Sequence, residues 1–431
     1  YRNINKLHGG SYLEFYKKDL KVNKYFNFPD KVTYFRDYKK TVDDFYEIFK
    51  TVIKGQIDST SLNVGSTLSG GLDSSSISLI VDKYKRDRFH TYSVLFNGLN
   101  KKDFLLTDEK KYIDEVLKNI NSKHSFINLH LKKDGPIIDL ERKYSEFQFP
   151  FLIINGYIHQ SLYEKCNEEG VNFLFDGLFG DEIISHGTYR LGELVRSGRF
   201  IKFLLEVWHL KKNNVIQSIK SPIKIYLLSP LKTKINNFFI FDSSRKIKNN
   251  KYEDLSNILN KQHKFEKIIK EYKYSLKRDF ISEHKEQIYF YKSGIIEHSL
   301  EQLDFMATRL NVEPIYPFLD KRIVSFCMRV PTKFKLNNGV TRLYFRESMK
   351  EIFPKKIYER QTKSNISPFT KYDINNRFVK KLNHIEKSDG LVSEMVDFEE
   401  IKNKKTGSGQ LSSFNIISLH LWLEAVFKQS K

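Results

Sequence analysis

The chain has 431 residues, with 73 Lys and Arg against 52 Asp and Glu, a formal charge of +21 and two cysteines. At about 150 residues per domain, two or three units or one large α/β domain with appendages are expected. Cys166 and Cys327 exclude a disulfide framework and a thiolate-rich metal site, and with no bilayer-length apolar run and no secretory h-region the composition predicts a soluble, cytoplasmic protein.

Residues 1–40 alternate aromatics with charges and read as short strands and turns without a core of their own. Tyr1 stands where an initiator Met would, so the natural start is expected upstream. Val42, Phe45, Tyr46, Phe49, Val52 and Ile53 follow helical spacing, and Gly55 predicts the end of that helix. Strands are predicted at 63–68, 90–96, 125–129 and 171–175, with helices over 77–81, 108–119 and 151–166 between them. Strands alternating with helices predict an α/β fold: a parallel twisted sheet with helices on both faces. Residues 193–280, rich in Lys, Asn, Ile and Phe and carrying Pro222 and Pro230, read as a basic, mostly helical insertion. Beyond it the pattern is mostly helical, with Gly407-Ser408-Gly409 as a joint before a last helix over 411–427. No short Lys/Arg block dominates, so the charge reads as a lysine-biased composition, and neither nucleic acid nor membrane is an expected partner.

The strand–helix junction Ser69-Gly70-Gly71-Leu72-Asp73-Ser74-Ser75 carries the first chemistry. Gly70 and Gly71 let backbone amides close around an anion, the serines supply hydroxyls, and the following helix offers free N–H groups. Such a loop suits a phosphate or pyrophosphate. Asp73 beside phosphates calls for a divalent cation between them, which predicts Mg²⁺. A second run, Asp176-Gly177-Leu178-Phe179-Gly180-Asp181-Glu182, follows a later strand. It reads either as a second half of the same site or as acids capping a helix. Lys363, Arg342 and Arg346 are each open to two readings, phosphate contact or solvated cation.

Ser69–Ser75 resembles, letter for letter, the pyrophosphatase loop of the asparagine synthetase family. The spacing to Asp108-Glu109 and to 176–182 is similar to that family too. So are Pro317–Arg322, Gly339-Val340-Thr341-Arg342 and Arg360-Gln361-Thr362-Lys363-Ser364-Asn365. The resemblance spans roughly 40–425, and residues 4–28 resemble the tail of the family's glutaminase domain, expected upstream. It implies two units, a glutaminase remnant over 1–37 and an amide synthetase domain over 38–431 with an adenine nucleotide α-hydrolase-like fold. It further implies adenylation of a small-molecule or peptide carboxylate by ATP, release of pyrophosphate, and attack by ammonia or a substrate-borne amine.

Carried over by position, Leu68 and Val94 flank adenine, and Ser69, Gly70, Gly71, Asp73 and Ser74 hold pyrophosphate. Asp176 and Gly177 touch the nucleotide, Asp73 and Asp181 share Mg²⁺, and Lys363 acts with them in catalysis, neutralising charge at the reacting phosphate. Pro317–Asp320 is expected to shape the pocket wall. One departure stands out: Leu178 occupies the place of the glutamate usual in asparagine synthetases. The first reading is a glutamine-hydrolysing asparagine synthase. The alternatives are a macrolactam synthetase similar to lasso-peptide cyclases and a tRNA-modifying ATP pyrophosphatase.

Overall fold

The computed structural model describes residues 5–29, 32, 37–60, 63–85, 89–144, 150, 153–216, 218–228, 282–388, 390–399 and 407–429. The predicted insertion therefore lies outside the described residues from 229 onward, apart from its first stretch, which is helical at Phe200–Lys212.

An exposed antiparallel hairpin, β1 (Ser11–Tyr16) and β2 (Asp19–Lys24), precedes helix Tyr38–Asp58. Asp37 starts that helix by accepting a hydrogen bond from the Lys40 N–H at 3.2 Å. The helix runs through Gly55, where it was expected to stop, because Ile57 beyond it is buried and offsets the roughly 1 kcal/mol that glycine costs.

The central sheet comprises β3 (Val64–Thr67), β4 (Phe89–Asn97), β5 (Ser122–His130), β6 (Phe173–Phe175) and β7 (Glu313–Ile315). All pairings are parallel, and the strand order is β5-β4-β3-β6-β7. The chain builds outward from β3 to β5, then crosses back to lay β6 on the other flank of β3. That reversal opens a crevice beyond the carboxyl ends of β3 and β6, where open α/β sheets bind ligands. β7 was not expected, since 285–350 reads as helical; it is only three residues long and carries Pro314, tolerable because β7 is an edge strand.

Successive residues of β6 face opposite ways, Leu174 into one core and Phe175 into the other. On the Phe175 side, Phe45, Phe49, Val52 and Ile53 pack with Phe318, Tyr344 and Phe345, the Phe45 and Tyr344 rings 5.3 Å apart. On the Leu174 side, Tyr92, Leu162, Tyr163, Cys166, Met306, Phe414 and Ile417 form the second core. Each such side chain contributes about 1.5–3 kcal/mol when fully buried. Both cysteines are buried inside helices, as their sequence context predicts.

The last helix begins at Gly407, so the glycines expected as a joint form its first turn instead, where no intrahelical N–H bond is yet required. No helix among the described residues is long and apolar enough to cross a membrane.

Candidate active site

A cavity of about 320 Å³ lies over the carboxyl ends of β3 and β6. Its walls bring together Leu68, Ser69, Gly71, Asp73, Ser74, Val94, Asp176, Gly177, Asp181 and Lys363, residues drawn from four separate stretches of chain. Gly70 is not on that wall. Its φ of +69° turns the chain, and a Cβ there would sit 2.6 Å from the Cβ of Tyr112, so glycine is required on both counts.

The loop is closed on itself by its serines. The Ser74 hydroxyl accepts from the Ser69 N–H at 3.0 Å and meets the Ser69 hydroxyl at 3.0 Å. Helix Leu72–Tyr84 starts at Gly71 without a side-chain cap, which leaves its first N–H groups for an anion. The second loop lies directly on this turn. A Cβ on Gly177 would meet the Ser74 nitrogen at 2.8 Å, and one on Gly180 would meet Asp73 Cγ at 2.5 Å. Between them Phe179 holds a φ of +66°, strain tolerated where packing over-determines the turn. The two runs thus form one site rather than a site and an independent helix cap.

Charge is concentrated at this end. The buried Arg342 guanidinium donates to both oxygens of Asp73 at 2.8 and 3.2 Å and also meets Asp181, so it bridges the two aspartates. The exposed Lys363 donates from Nζ to the second Asp181 oxygen at 2.9 Å, and His186 Nε2 lies 3.4 Å from the first. Arg342 reaches this position because β8 (Leu336–Asn337) and β9 (Val340–Thr341) form a tight hairpin turned at Asn338-Gly339, both with positive φ. Glu206 fixes that turn by accepting both of its N–H groups, at 3.1 and 3.0 Å.

Arg346 is buried as well, but it spends its donors on the Thr341, Tyr358 and Arg360 carbonyls. Burial, with Arg342 nearby, lowers its pKa to about 10, so it stays charged at neutral pH. Both arginines are therefore enclosed parts of the cavity wall, which removes the solvated-face reading for each.

Arg360 and Glu109 carry a role not assigned from the sequence, although both lie in stretches singled out there. Arg360 pairs with both Glu109 oxygens, donates to the Gly70 carbonyl at 2.8 Å, and stacks its guanidinium 3.8 Å over the Tyr112 ring. The Ser364 N–H donates to Glu109 at 3.1 Å. This pair ties the Lys363 segment to the back of the Ser69–Ser75 loop. The expectation for Pro317–Asp320 is corrected: Phe318 is fully buried against Phe49 and Phe345, and Asp320 caps helix Lys321–Arg329, so the turn packs in the core rather than on the cavity.

At the floor, Asp176 accepts from the Leu178 N–H at 3.0 Å and from the Thr67 hydroxyl at 3.3 Å. Ile158, His159, Leu162 and Leu178 line this end.

The residues present suit a nucleotide and a divalent cation. Arg342, Arg346, Arg360 and Lys363 line the cavity, and the two aspartates beside them offer hard oxygen donors. Among the described residues no three His, Cys, Asp or Glu converge as a metal cage, so an ion here would draw further ligands from phosphate and water.

A family model described as asparagine synthase matches residues 45–424, while a search of the curated proteins returned no match. That span covers most of the chain and takes in both glycine-rich runs, the Arg342 hairpin and the Lys363 segment. The chain belongs to the asparagine synthase family, and with it to the ATP-dependent amide-forming ligases.

Proposed function

We propose that the protein adenylates a carboxylate with ATP and then lets an amine displace AMP, forming an amide. The observation that supports this reading most is the meeting of Asp73, Asp181, Arg342 and Lys363 in one cavity over β3 and β6. Ser69, Ser74 and the open start of helix Leu72–Tyr84 hold the pyrophosphate part of ATP, and Leu68 and Val94 flank the adenine. Asp73 and Asp181 would hold Mg²⁺, which supplies charge neutralisation at the phosphates when bound. Arg342, now bridging the aspartates, is placed to turn its guanidinium onto phosphate oxygens. Lys363 neutralises charge that develops at the α-phosphoryl group as pyrophosphate leaves.

Carboxylate-dependent exchange of pyrophosphate into ATP, together with release of AMP, is the expected result, and Asp73→Asn abolishes it. Production of ADP and inorganic phosphate instead would sink the adenylation reading.

The finer assignment, asparagine from aspartate with nitrogen from glutamine, asks for an acid where Leu178 stands. Leu178 on the cavity wall beside Ile158 and Leu162 favours a second reading, a macrolactam-type synthetase whose amine comes from the substrate itself. Turnover of aspartate with ammonia would restore the first reading.

A further inference from the structure

We propose that His159, paired with Asp176, is the base that takes the proton from the attacking amine, an inference that rests on the amide-ligase reading above. An amine that adds to an acyl carbon must lose a proton, and Leu178 has no group to accept one. The structure puts another acceptor in the same cavity.

His159 lies in the first turns of helix Gly156–Glu168 and lines the floor with Leu162, Asp176 and Leu178. Its Nδ1 is buried, makes no hydrogen bond, and lies 3.6 Å from Asp176 Oδ2. The other Asp176 oxygen is held by Leu178 and Thr67, so the carboxylate is fixed and its second oxygen is turned to the imidazole. This is the arrangement that orients a ring and stabilises its protonated form; gaps of this length tighten once the ring carries charge. With Nδ1 enclosed, Nε2 is the nitrogen that a molecule in the cavity can reach.

The groups facing the ring are Asp176 at the end of β6, Tyr163 one turn along the same helix with its ring 6.3 Å away, and Tyr316 behind it, 3.4 Å from the Tyr163 hydroxyl. Burial raises both phenols, so Asp176 is the charged member of the set. Burial lowers the His159 pKa and Asp176 opposes that shift, which keeps the ring neutral at pH 7 and ready to accept a proton.

In the step, the amine nitrogen bonds to the acyl carbon and its proton passes to Nε2. The bond from that carbon to the phosphate-bound oxygen breaks, and AMP leaves with the electron pair. The imidazolium, balanced by Asp176, returns its proton to solvent as the amide departs.

The test separates the two half-reactions in the full chain. Pyrophosphate exchange is screened with L-aspartate, L-glutamate and peptides bearing Asp or Glu, and amide formation is then followed with ammonia or the peptide's own amine. In His159→Gln the ratio of amide formed to exchange is expected to fall roughly 10²–10⁴-fold. Hydroxylamine, an unprotonated nucleophile at neutral pH, is expected to restore that ratio as hydroxamate. With rates referred to the concentration of unprotonated amine, the acid limb of the wild-type amidation profile should vanish in His159→Gln and move to lower pH in Asp176→Asn, because Asp176 raises the ring's pKa. An unchanged ratio or a persisting limb in His159→Gln overturns the proposal while leaving adenylation standing. If His159→Gln does not fold, an unmoved limb in Asp176→Asn overturns it. No exchange by wild type with any carboxylate overturns the ligase reading and this proposal with it.

Discussion

Beside the Ser69–Ser75 loop Arg342 sits between Asp73 and Asp181 with Lys363 next to them, whereas at the floor Asp176 faces a single histidine among Ile158, Leu162 and Leu178. Aspartates occur at both ends, but their partners differ. Permanent cations close the first group into a network that a polyanion can reopen by exchanging partners, which suits binding and leaving-group stabilisation. The second carboxylate faces a ring that is neutral until it gains a proton, which suits proton transfer. In the proposed reaction, the first group serves adenylation and the second serves amine attack.

The comparison can be broken hardest at its buttress. Arg360→Met leaves Glu109 without its guanidinium and the Gly70 carbonyl without its donor, in a pair whose arginine is almost fully enclosed. Removing one partner of a buried pair costs about 3–5 kcal/mol, so a marked fall in Tm by calorimetry is expected, with exchange lost even where the protein folds. Next comes Lys363→Ala. Lys363 is exposed, so folding should hold, while exchange falls by roughly 10²–10³, the scale of losing one charge-stabilising donor. ATP affinity measured by calorimetric titration should change far less. An equal loss in both would make Lys363 a simple binding residue and weaken the contrast between the two ends.

A smaller effect tests whether the two loops act as one. Gly177→Ala puts a methyl group 2.8 Å from the Ser74 nitrogen, backbone that cannot step aside as a flexible side chain would. Overpacking of this kind costs about 1–3 kcal/mol. Pyrophosphate exchange should fall with it, because the phosphate loop is what moves. Lost stability with exchange intact would show that the loops are independent.

The Ser69–Ser75 loop was legible in the sequence as a candidate site because its signal is local. Glycines, serines and Asp73 stand in one continuous run, and a turn between strand and helix needs no distant partner to be recognised. The sheet was legible for the same reason, since strands and helices alternate at regular spacing. What escaped depends on contacts between distant segments. β7 has three residues and a proline, and only its place beside β6 makes it a strand. The β8–β9 hairpin did carry a local signal, Asn338-Gly339, yet the turn matters because it aims Arg342 at Asp73, 269 residues away in sequence. His159 offered no signal at all: a lone histidine in a helix acquires meaning only when β6 ends beside it and delivers Asp176. Arg360 and Glu109 were visible as residues, but a pair separated by 251 positions shows its purpose only in the folded chain.

The mildest perturbation acts on the far end of the helix that carries His159. Glu169 follows that helix and is gripped by Ser125, His90 and Tyr92, at 2.8, 3.1 and 3.1 Å, with Lys165 3.4 Å away. Burial works to raise its pKa, but these hydrogen bonds outweigh it and hold the carboxyl at about 2, below the ordinary 4.5. A depressed carboxyl adds stability that is complete above its unfolded pKa and disappears as pH falls through its folded one. Glu169→Gln should therefore lower Tm at pH 7 by an amount worth less than about 1 kcal/mol after solvent screening. The gap from wild type should close between about pH 4.5 and pH 2. If the floor depends on this helix end for its register, the same variant should also lower amide formation relative to exchange by a small factor, since only the floor is displaced. A matched decline in both half-reactions would mean that the helix supports the whole cavity, and the division between its two ends would have to be redrawn.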